Sequence, residues 1–175
     1  MESVSRRVER RRLTWRWSGS GRTRNEAIER QKVPESAVLE GTLEFVRKHL
    51  SEWRDDPDRP EVQSEEKLNG LLCDYLSYQV RHEWPMVVFR HEEPQKGRRR
   101  VDMSAKTKQP IIAATRDFTK YDPFLVIEGK RLPAPERGRE REYVTGFDKT
   151  SGGLQRFKLG LHGASLEIAA MVAYV

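Results

Sequence analysis

A carboxylate and an amine lie two residues apart at the end of an apolar stretch, in Glu128-Gly129-Lys130. The four residues before them, 124–127, are all apolar, and such a run is typical of a strand that is covered on both faces. Side chains alternate between faces along a strand, so Glu128 and Lys130 should point the same way. Charged groups are costly at such a place unless each has a partner or a task. The pattern indicates either an ion pair at a strand end or part of an active site.

A second carboxylate, Asp102, favours the active site. It lies between the apolar residues Val101 and Met103 in another strand-like stretch, and it should face opposite to both. If the two strands pair, Asp102 and Glu128 converge, and their hard oxygens suit Mg²⁺ or Mn²⁺. Such an ion acidifies bound water and neutralises charge on a phosphate, while Lys130 could position or deprotonate the water or stabilise the five-coordinate phosphate. These residues predict hydrolysis of a phosphodiester bond.

The elements that must position these side chains follow from the spacing of the apolar residues. In chain order we predict helices over 35–53 and 62–81, strands over 85–91, 98–105 and 124–130, a helix over 151–161 and a strand over 166–175. Ser64 is a candidate N-cap for the second helix. The connection 106–122 is predicted to be a polar loop, broken by a short apolar piece at 111–114, and 133–150 is predicted to be mobile. After the first helix the order is helix, three strands, helix, strand.

Val101-Asp102 followed by Glu128-Gly129-Lys130 resembles the D…(D/E)-X-K signature of the PD-(D/E)XK nuclease superfamily, which includes many restriction and repair enzymes. The resemblance covers about residues 61–175. It implies an α/β fold with a restriction-endonuclease-like αβββαβ core, in which helices flank a mixed central sheet, and the predicted element order agrees with that core. Val101 departs from the proline of the family's name. The 25 residues between Asp102 and Glu128 exceed the usual hairpin spacing, so 106–122 would be an insertion.

The resemblance also implies roles for individual residues. The metal ligands would be Asp102, Glu128, the Gly129 carbonyl and Glu65, the last directly or through water. Glu65 fits the glutamate that members often carry on the first core helix, because it shares the inward stripe of Leu68 and Leu72. Lys130 would activate the water. Gln155 fits the glutamine found at the start of the second core helix in many members, and it would orient the reacting group.

The net charge of +6 is concentrated at the N-terminus. Residues 1–32 contain ten Arg and Lys against four Glu, whereas residues 33–175 contain 23 of each sign. Such an arm attracts polyanions, most commonly nucleic acid, although it could also serve only for solubility. Trp15 and Trp17 within it could stack on bases or pack on the body of the protein. The predicted regions are a basic, flexible arm (1–34), an accessory helix and linker (35–60) and a nuclease-like domain (61–175).

Basic residues also surround the proposed site. They are Lys96, Arg98, Arg99, Arg100, Arg131, Arg156 and Lys158. As a group they favour nucleic acid over an acidic protein as the partner, since phosphate contacts dominate such binding. The single cysteine, Cys73, excludes an internal disulfide and a cysteine-rich zinc site, and it is predicted to be a buried thiol. The four histidines show no ligand spacing and are predicted to be structural or exposed.

No stretch of the sequence is apolar enough for a membrane helix, and the arginine cluster is not followed by the apolar segment of a signal peptide. We therefore predict a cytoplasmic Mg²⁺-dependent deoxyribonuclease with no membrane partner, acting in restriction, phage defence or repair. One alternative is an inactive nucleic-acid-binding module on the same fold. Another is an interaction subunit whose apolar last strand docks on a partner. The chain ends inside that strand, which predicts a truncated chain or a covering partner, as in a homodimer or larger complex.

Overall fold

The computed structural model describes residues 31–33, 35–113, 116–136, 139–145, 152–164, 166 and 168–175. The helices of this part of the chain are α1 (Glu35–Arg54), α2 (Glu65–Glu83), α3 (Glu140–Val144) and α4 (Gly153–Lys158). Its strands are β1 (Gln31–Val33), β2 (Val87–Pro94), β3 (Arg100–Thr107), β4 (Ile111–Ala113), β5 (Arg116–Phe118), β6 (Pro123–Arg131) and β7 (Ala169–Tyr174). Within these ranges no helix is both long and apolar enough to span a lipid bilayer.

The chain is an α/β protein whose main sheet has four strands in the order β2-β3-β6-β7. The pairs β2–β3 and β3–β6 are antiparallel, whereas β6–β7 is parallel. A parallel pair needs a crossover connection, and here that connection contains α3 and α4. Met103 pairs with Ile127. Extending this register by one residue places Asp102 opposite Glu128.

Both faces of the main sheet are covered. On one face, α2 packs against β2, β3 and β6, and its Leu72 and Leu76 are fully buried together with Met103, Leu125 and Ile127 of the sheet. Each such side chain stabilises the fold by about 1.5 to 3 kcal/mol. On the other face, the segment after α4 approaches the sheet so closely that a Cβ on Gly163 would lie 3.0 Å from Val126 Cγ2. Residues of β6 are therefore shielded from both sides, as their apolar run predicted.

The two long helices predicted from the sequence are confirmed. The second begins at Glu65 and not near residue 62, because the Ser64 hydroxyl accepts a hydrogen bond from the Lys67 N–H at 3.5 Å and caps the helix there. The predicted hairpin also forms, and both of its strands begin two residues later than predicted. Its turn includes Gly97 at a φ of 76°, a conformation that glycine adopts without steric cost.

The predictions for the connecting segments need correction. Residues 106–122 are more than a polar loop, since β4 and β5 join β1 in a second, three-stranded sheet of order β1-β4-β5. Ile111 and Phe118 of this small sheet are buried in the common core. Within 133–150, predicted to be mobile, the structure contains α3. The helix predicted over 151–161 is shorter, with α4 ending at Lys158, and the last strand begins at Ala169.

The N-terminal arm falls almost entirely outside the described residues. This applies to the arginine clusters and to both tryptophans predicted to contact bases or the protein body, Trp15 and Trp17. At the end of the arm, Gln31–Val33 form β1, which pairs in parallel with β4. Cys73 is buried in α2 as predicted, and burial raises the pKa of its thiol to about 11.

Candidate active site

Asp102 and Glu128 meet across the antiparallel pair β3–β6. The Gly129 N–H donates a hydrogen bond of 2.8 Å to Asp102 Oδ2, which joins the two strands at the level of the carboxylates. Glu128 is only 2% exposed. The long connection between the strands does not prevent this pairing, because its residues form β4 and β5 and fold as part of the separate small sheet.

The Lys130 ammonium lies among four oxygens of this cluster. Its Nζ is 2.7 Å from Glu65 Oε1 and 2.8 Å from the Gly129 carbonyl oxygen. It is also 3.5 Å from Glu128 Oε2 and 3.7 Å from Asp102 Oδ2. Glu128 and Lys130 therefore share one side of β6, as strand parity predicts. The four oxygens are those assigned above to the metal ligands by resemblance.

Glu65 reaches the site from the first residue of α2. Its second oxygen, Oε2, accepts a hydrogen bond of 3.1 Å from the Arg131 N–H, so the carboxylate bridges the last two residues of β6. An acidic residue in the first turn of a helix is also favoured by the helix dipole. The start of α2 is thus fixed to the end of β6.

Gly129 is the residue that lets α2 approach β6. A Cβ at this position would lie 1.9 Å from Asn69 Oδ1 and 2.7 Å from the Tyr174 hydroxyl, distances that no side chain could tolerate without displacement. These two groups form a buried hydrogen bond, in which the Tyr174 hydroxyl donates to Asn69 Oδ1 at 2.6 Å. Asn69 is one helical turn after Glu65. The close contact at Gly129 therefore sets the distance between Glu65 and Lys130.

His162 belongs to the site, although its sequence position gave no sign of it. Its Nδ1 lies 2.5 Å from Glu128 Oε1, and both side chains are almost completely buried. The Phe157 ring of α4 packs edge-on against the imidazole, with ring centroids 6.1 Å apart. His162 thus holds the Glu128 oxygen that faces away from Lys130. No ligand spacing could have revealed it, because its partner is 34 residues away and on another element.

Gln155 is on the helix that borders the site, without a polar contact to it. The N-terminus of α4 adjoins Lys130, since a Cβ on Gly153 would lie 3.8 Å from Lys130 Cε. Gln155 is two residues further along and half-buried. Among the described residues, none forms a hydrogen bond with its side chain. The structure therefore brings together Asp102, Glu128, Lys130 and Glu65, with Gln155 nearby on α4.

The basic residues predicted to contact phosphates lie at different distances from the cluster. Arg131 directly follows Lys130, and its guanidinium donates a hydrogen bond of 3.0 Å to the Gln63 carbonyl. Arg100 forms an ion pair with Glu92 across the hairpin. Three of the others are exposed, namely Arg98, Arg99 and Lys158, and Arg156 of α4 is half-buried. The Lys96 side chain lies outside the described part of the structure.

The cluster carries more negative charge than its surroundings balance. Burial, with a contribution from the charge of Glu128, raises the pKa of Asp102 to about 6. Burial also acts to raise the pKa of Glu128, but the His162 hydrogen bond and the Lys130 charge outweigh it, and the pKa is lowered. Desolvation acts to lower the pKa of Lys130, yet the surrounding carboxylates raise it. Lys130 is therefore held as an ammonium, and Asp102 is the group that retains a proton most readily.

The donor atoms of the cluster fit a hard cation. Within the described ranges, no three His, Cys, Asp or Glu side chains are already gathered around a point that could hold a metal ion. Four oxygens instead surround the Lys130 ammonium, and oxygens that bind one hard cation suit Mg²⁺ or Mn²⁺ as well. The pKa of Asp102 is raised mainly by burial and in smaller part by the charge of Glu128, and a cation at these oxygens would offset both effects. A divalent ion at these oxygens would require the Lys130 ammonium to move.

The site is assembled from α2, the pair β3–β6 and the segment around α4, which are far apart in the sequence. Searches of protein families, curated proteins and solved structures gave no match to the chain. An inference of function therefore rests on the residues of the cluster and on their geometry.

Proposed function

We propose that the chain is a Mg²⁺- or Mn²⁺-dependent nuclease of the PD-(D/E)XK superfamily that hydrolyses phosphodiester bonds of DNA. The observation that carries the proposal is the Lys130 ammonium, bound by Glu65 and lying beside both Asp102 and Glu128. The topology supports it. Helix α2, the antiparallel strands β2, β3 and β6, the helical crossover and the parallel strand β7 agree with the αβββαβ order of a restriction-endonuclease-like core.

Each residue of the cluster has a distinct task in this proposal. The metal ligands would be Asp102, Glu128 and the Gly129 carbonyl, with Glu65 completing the set. When bound, the ion would acidify water and polarise the phosphate. The Lys130 ammonium would orient the attacking water and balance the charge of the five-coordinate phosphate, and its raised pKa favours this charged role over proton removal. Gln155, at the start of α4, would orient the reacting group.

Nucleic acid is the proposed substrate because of the charges around the cluster. Arg131 continues β6 directly beyond Lys130, and Arg156 and Lys158 belong to the helix that borders it. The basic arm at residues 1–32 adds attraction for a polyanion. DNA as the substrate, a role in restriction, antiviral defence or repair, a cytoplasmic location and a homodimeric or larger assembly follow only from the family resemblance and the sequence pattern.

The proposal is tested by incubating the protein with supercoiled plasmid and Mg²⁺ or Mn²⁺, with EDTA as the control. We expect open-circular or linear DNA only with the metal. Lys130→Ala and Asp102→Ala should each lower the rate at least about 100-fold, as expected for loss of a group that acts on the transition state. Metal-dependent cleavage that persists unchanged in both variants would show that the reaction occurs elsewhere.

An inactive nucleic-acid-binding module remains the second candidate. It is favoured by the position of Lys130, whose ammonium already partly compensates the carboxylates without a metal ion. In that case a gel shift would show DNA binding without cleavage, and deletion of residues 1–32 would remove most of the affinity. The third candidate, an interaction subunit, is consistent with β7 as an outer strand of the main sheet. It predicts neither DNA binding nor cleavage, together with self-association through β7.

A further inference from the structure

Two neighbouring cavities lie away from the candidate active site and share part of their walls. A cavity of 720 Å³ lies along β2 and the end of β3, and one of 860 Å³ lies between that end and the segment that precedes β2. Four residues line both: Thr107, Lys108, Lys120 and Tyr121. We call the combined depression the edge groove, because β2 is an outer strand of the main sheet.

One half of the edge groove is basic. Its lining includes Arg90, Lys108 and Lys120, and within the described part of the chain their side chains form no ion pair. The two carboxylates of this half are already compensated. Glu93 forms an ion pair of 2.7 Å with Lys106, and Glu92 is paired with Arg100. Three cations therefore remain available to an anionic ligand.

The other half shares Lys108 and Lys120 but is otherwise mainly apolar, and the Tyr121 ring lines both halves. Met86, Pro110 and Ile111 form part of the apolar wall. Tyr121 is 72% exposed, and the Lys120 ammonium lies 5.0 Å from the centre of its ring. An exposed aromatic face beside basic residues is the arrangement that proteins use to stack nucleic-acid bases near bound phosphates.

A buried hydroxyl supports the presence of a polar ligand. Thr107 lines both halves of the edge groove, yet its Oγ1 is buried and has no hydrogen-bond partner among the described residues. Buried polar groups are nearly always hydrogen-bonded. If Thr107 Oγ1 turns to the groove wall, a donor or acceptor of a bound ligand can satisfy it.

We propose that the edge groove binds a nucleotide, with the base against Tyr121 and the apolar wall and the phosphate at Arg90, Lys108 and Lys120. Each cavity has a volume within the usual range for small-molecule sites, about 300 to 1,000 Å³. Thr107 follows Asp102 by five residues on β3, a separation of about 17 Å along a strand. The bound nucleotide is thus distinct from the phosphate that would react at the candidate active site.

The nucleotide bound in the edge groove could be a free mononucleotide or an unpaired nucleotide of a nucleic-acid strand. The second source rests on the proposed nuclease function, since it would place the groove on the path of the substrate. The first is independent of that function. EDTA removes the divalent ions on which the proposed cleavage depends, so binding of either ligand can be measured in EDTA without catalysis.

The test uses the full chain in EDTA, with fluorescence anisotropy of a labelled oligothymidylate and calorimetric titration of dTMP. Tyr121→Ala should weaken binding at least about fivefold, the smallest effect expected for loss of one stacked base. Lys108→Ala combined with Lys120→Ala should reduce the dependence of affinity on salt, because two phosphate contacts are removed. Tyr78→Ala is the matched control, as Tyr78 is 60% exposed on α2 and away from the groove. It should bind as the unmodified chain does.

The two probes distinguish a free nucleotide from a nucleic-acid strand as the ligand of the edge groove. Binding of dTMP that is lost in Tyr121→Ala supports the free nucleotide, and binding of the oligonucleotide alone with the same loss supports the strand. Absence of binding to both probes, or an equal loss in Tyr78→Ala, overturns the proposal. If plasmid cleavage fails while groove-dependent binding persists, the nuclease function is refuted and the nucleotide site stands.

Discussion

Replacing Asp102 by asparagine should stabilise the metal-free protein above about pH 6 while it abolishes cleavage. The carboxylate lies in a buried, negatively charged cluster, and burial with the charge of Glu128 raises its pKa from 3.8 to about 6. Asparagine removes the charge but keeps an oxygen that can accept the Gly129 hydrogen bond. The substitution should therefore remove the unfavourable burial of a charge that the proposed metal ion would otherwise compensate.

The size of the expected gain in unfolding free energy follows from the pKa of Asp102. A shift of about two units at about 1.36 kcal/mol per unit corresponds to an upper limit of about 3 kcal/mol. Asp102 is 27% exposed, and its charge is coupled to that of Glu128, so we expect a gain of about 1 to 2 kcal/mol. Because the folded pKa lies above the unfolded one, the folded state binds the proton more tightly, and the unmodified protein loses stability as pH rises from about 4 to about 6. The variant should not show this loss.

Urea denaturation in EDTA at a series of pH values measures the effect. The unfolding free energies of the protein and of Asp102→Asn should coincide near pH 4, diverge up to about pH 6 and stay apart above it. Asp74→Asn, a change at an exposed aspartate of α2, is the control and should have no such effect. An Asp102→Asn variant that is no more stable at pH 8, or whose gain is independent of pH, would refute the electrostatic reasoning.

Substitutions at three further positions test the residues that support the site. Gly129→Ala should destabilise the protein by about 1 to 3 kcal/mol in thermal unfolding, because its Cβ would collide with Asn69; an unchanged Tm would contradict the close contact. Tyr174→Phe should cost about 1 kcal/mol, since the buried hydrogen bond to Asn69 is lost, and a neutral result in urea denaturation would argue against that bond. His162→Leu should weaken Mn²⁺ binding about 10- to 100-fold in calorimetry, because Glu128 loses its fixed orientation. His162→Asn keeps a hydrogen-bond donor and should lose less Mn²⁺ affinity. Equal losses of affinity in the two variants would refute a positioning role.

The sequence was sufficient to predict the strand that carries the centre of the site. The apolar run ending in Glu128-Gly129-Lys130 indicated a strand covered on both faces, and alternation alone placed Glu128 and Lys130 on one side of it. Both features are local, and both are found in the structure. The inward stripe of α2 likewise predicted the side of the helix on which Glu65 lies. Periodicity is informative here because one face of each element is buried.

Other features depend on contacts between distant residues and leave no local pattern. β4 and β5 have three residues each, too few for alternation to be recognised. They are stabilised by pairing with each other, and β4 also pairs with β1. His162 is a site residue only because the segment after α4 returns to Glu128. The place of Lys130 among four oxygens could not be predicted either, since strand parity gives the direction of a side chain and not the partners it meets.

The most direct test of the nuclease proposal compares two lysines that are each paired with a glutamate of α2. Lys130 is bound to Glu65 at the first residue of the helix, and Lys48 of α1 is bound to Glu83 at the last, each at 2.7 Å. The measurement is the initial rate of plasmid nicking in Mg²⁺ by Lys130→Met and Lys48→Met. We predict that the first rate falls at least about 100-fold and that the second stays close to that of the unmodified protein. Equal rates in the two variants would contradict the assignment of Lys130 to the reaction.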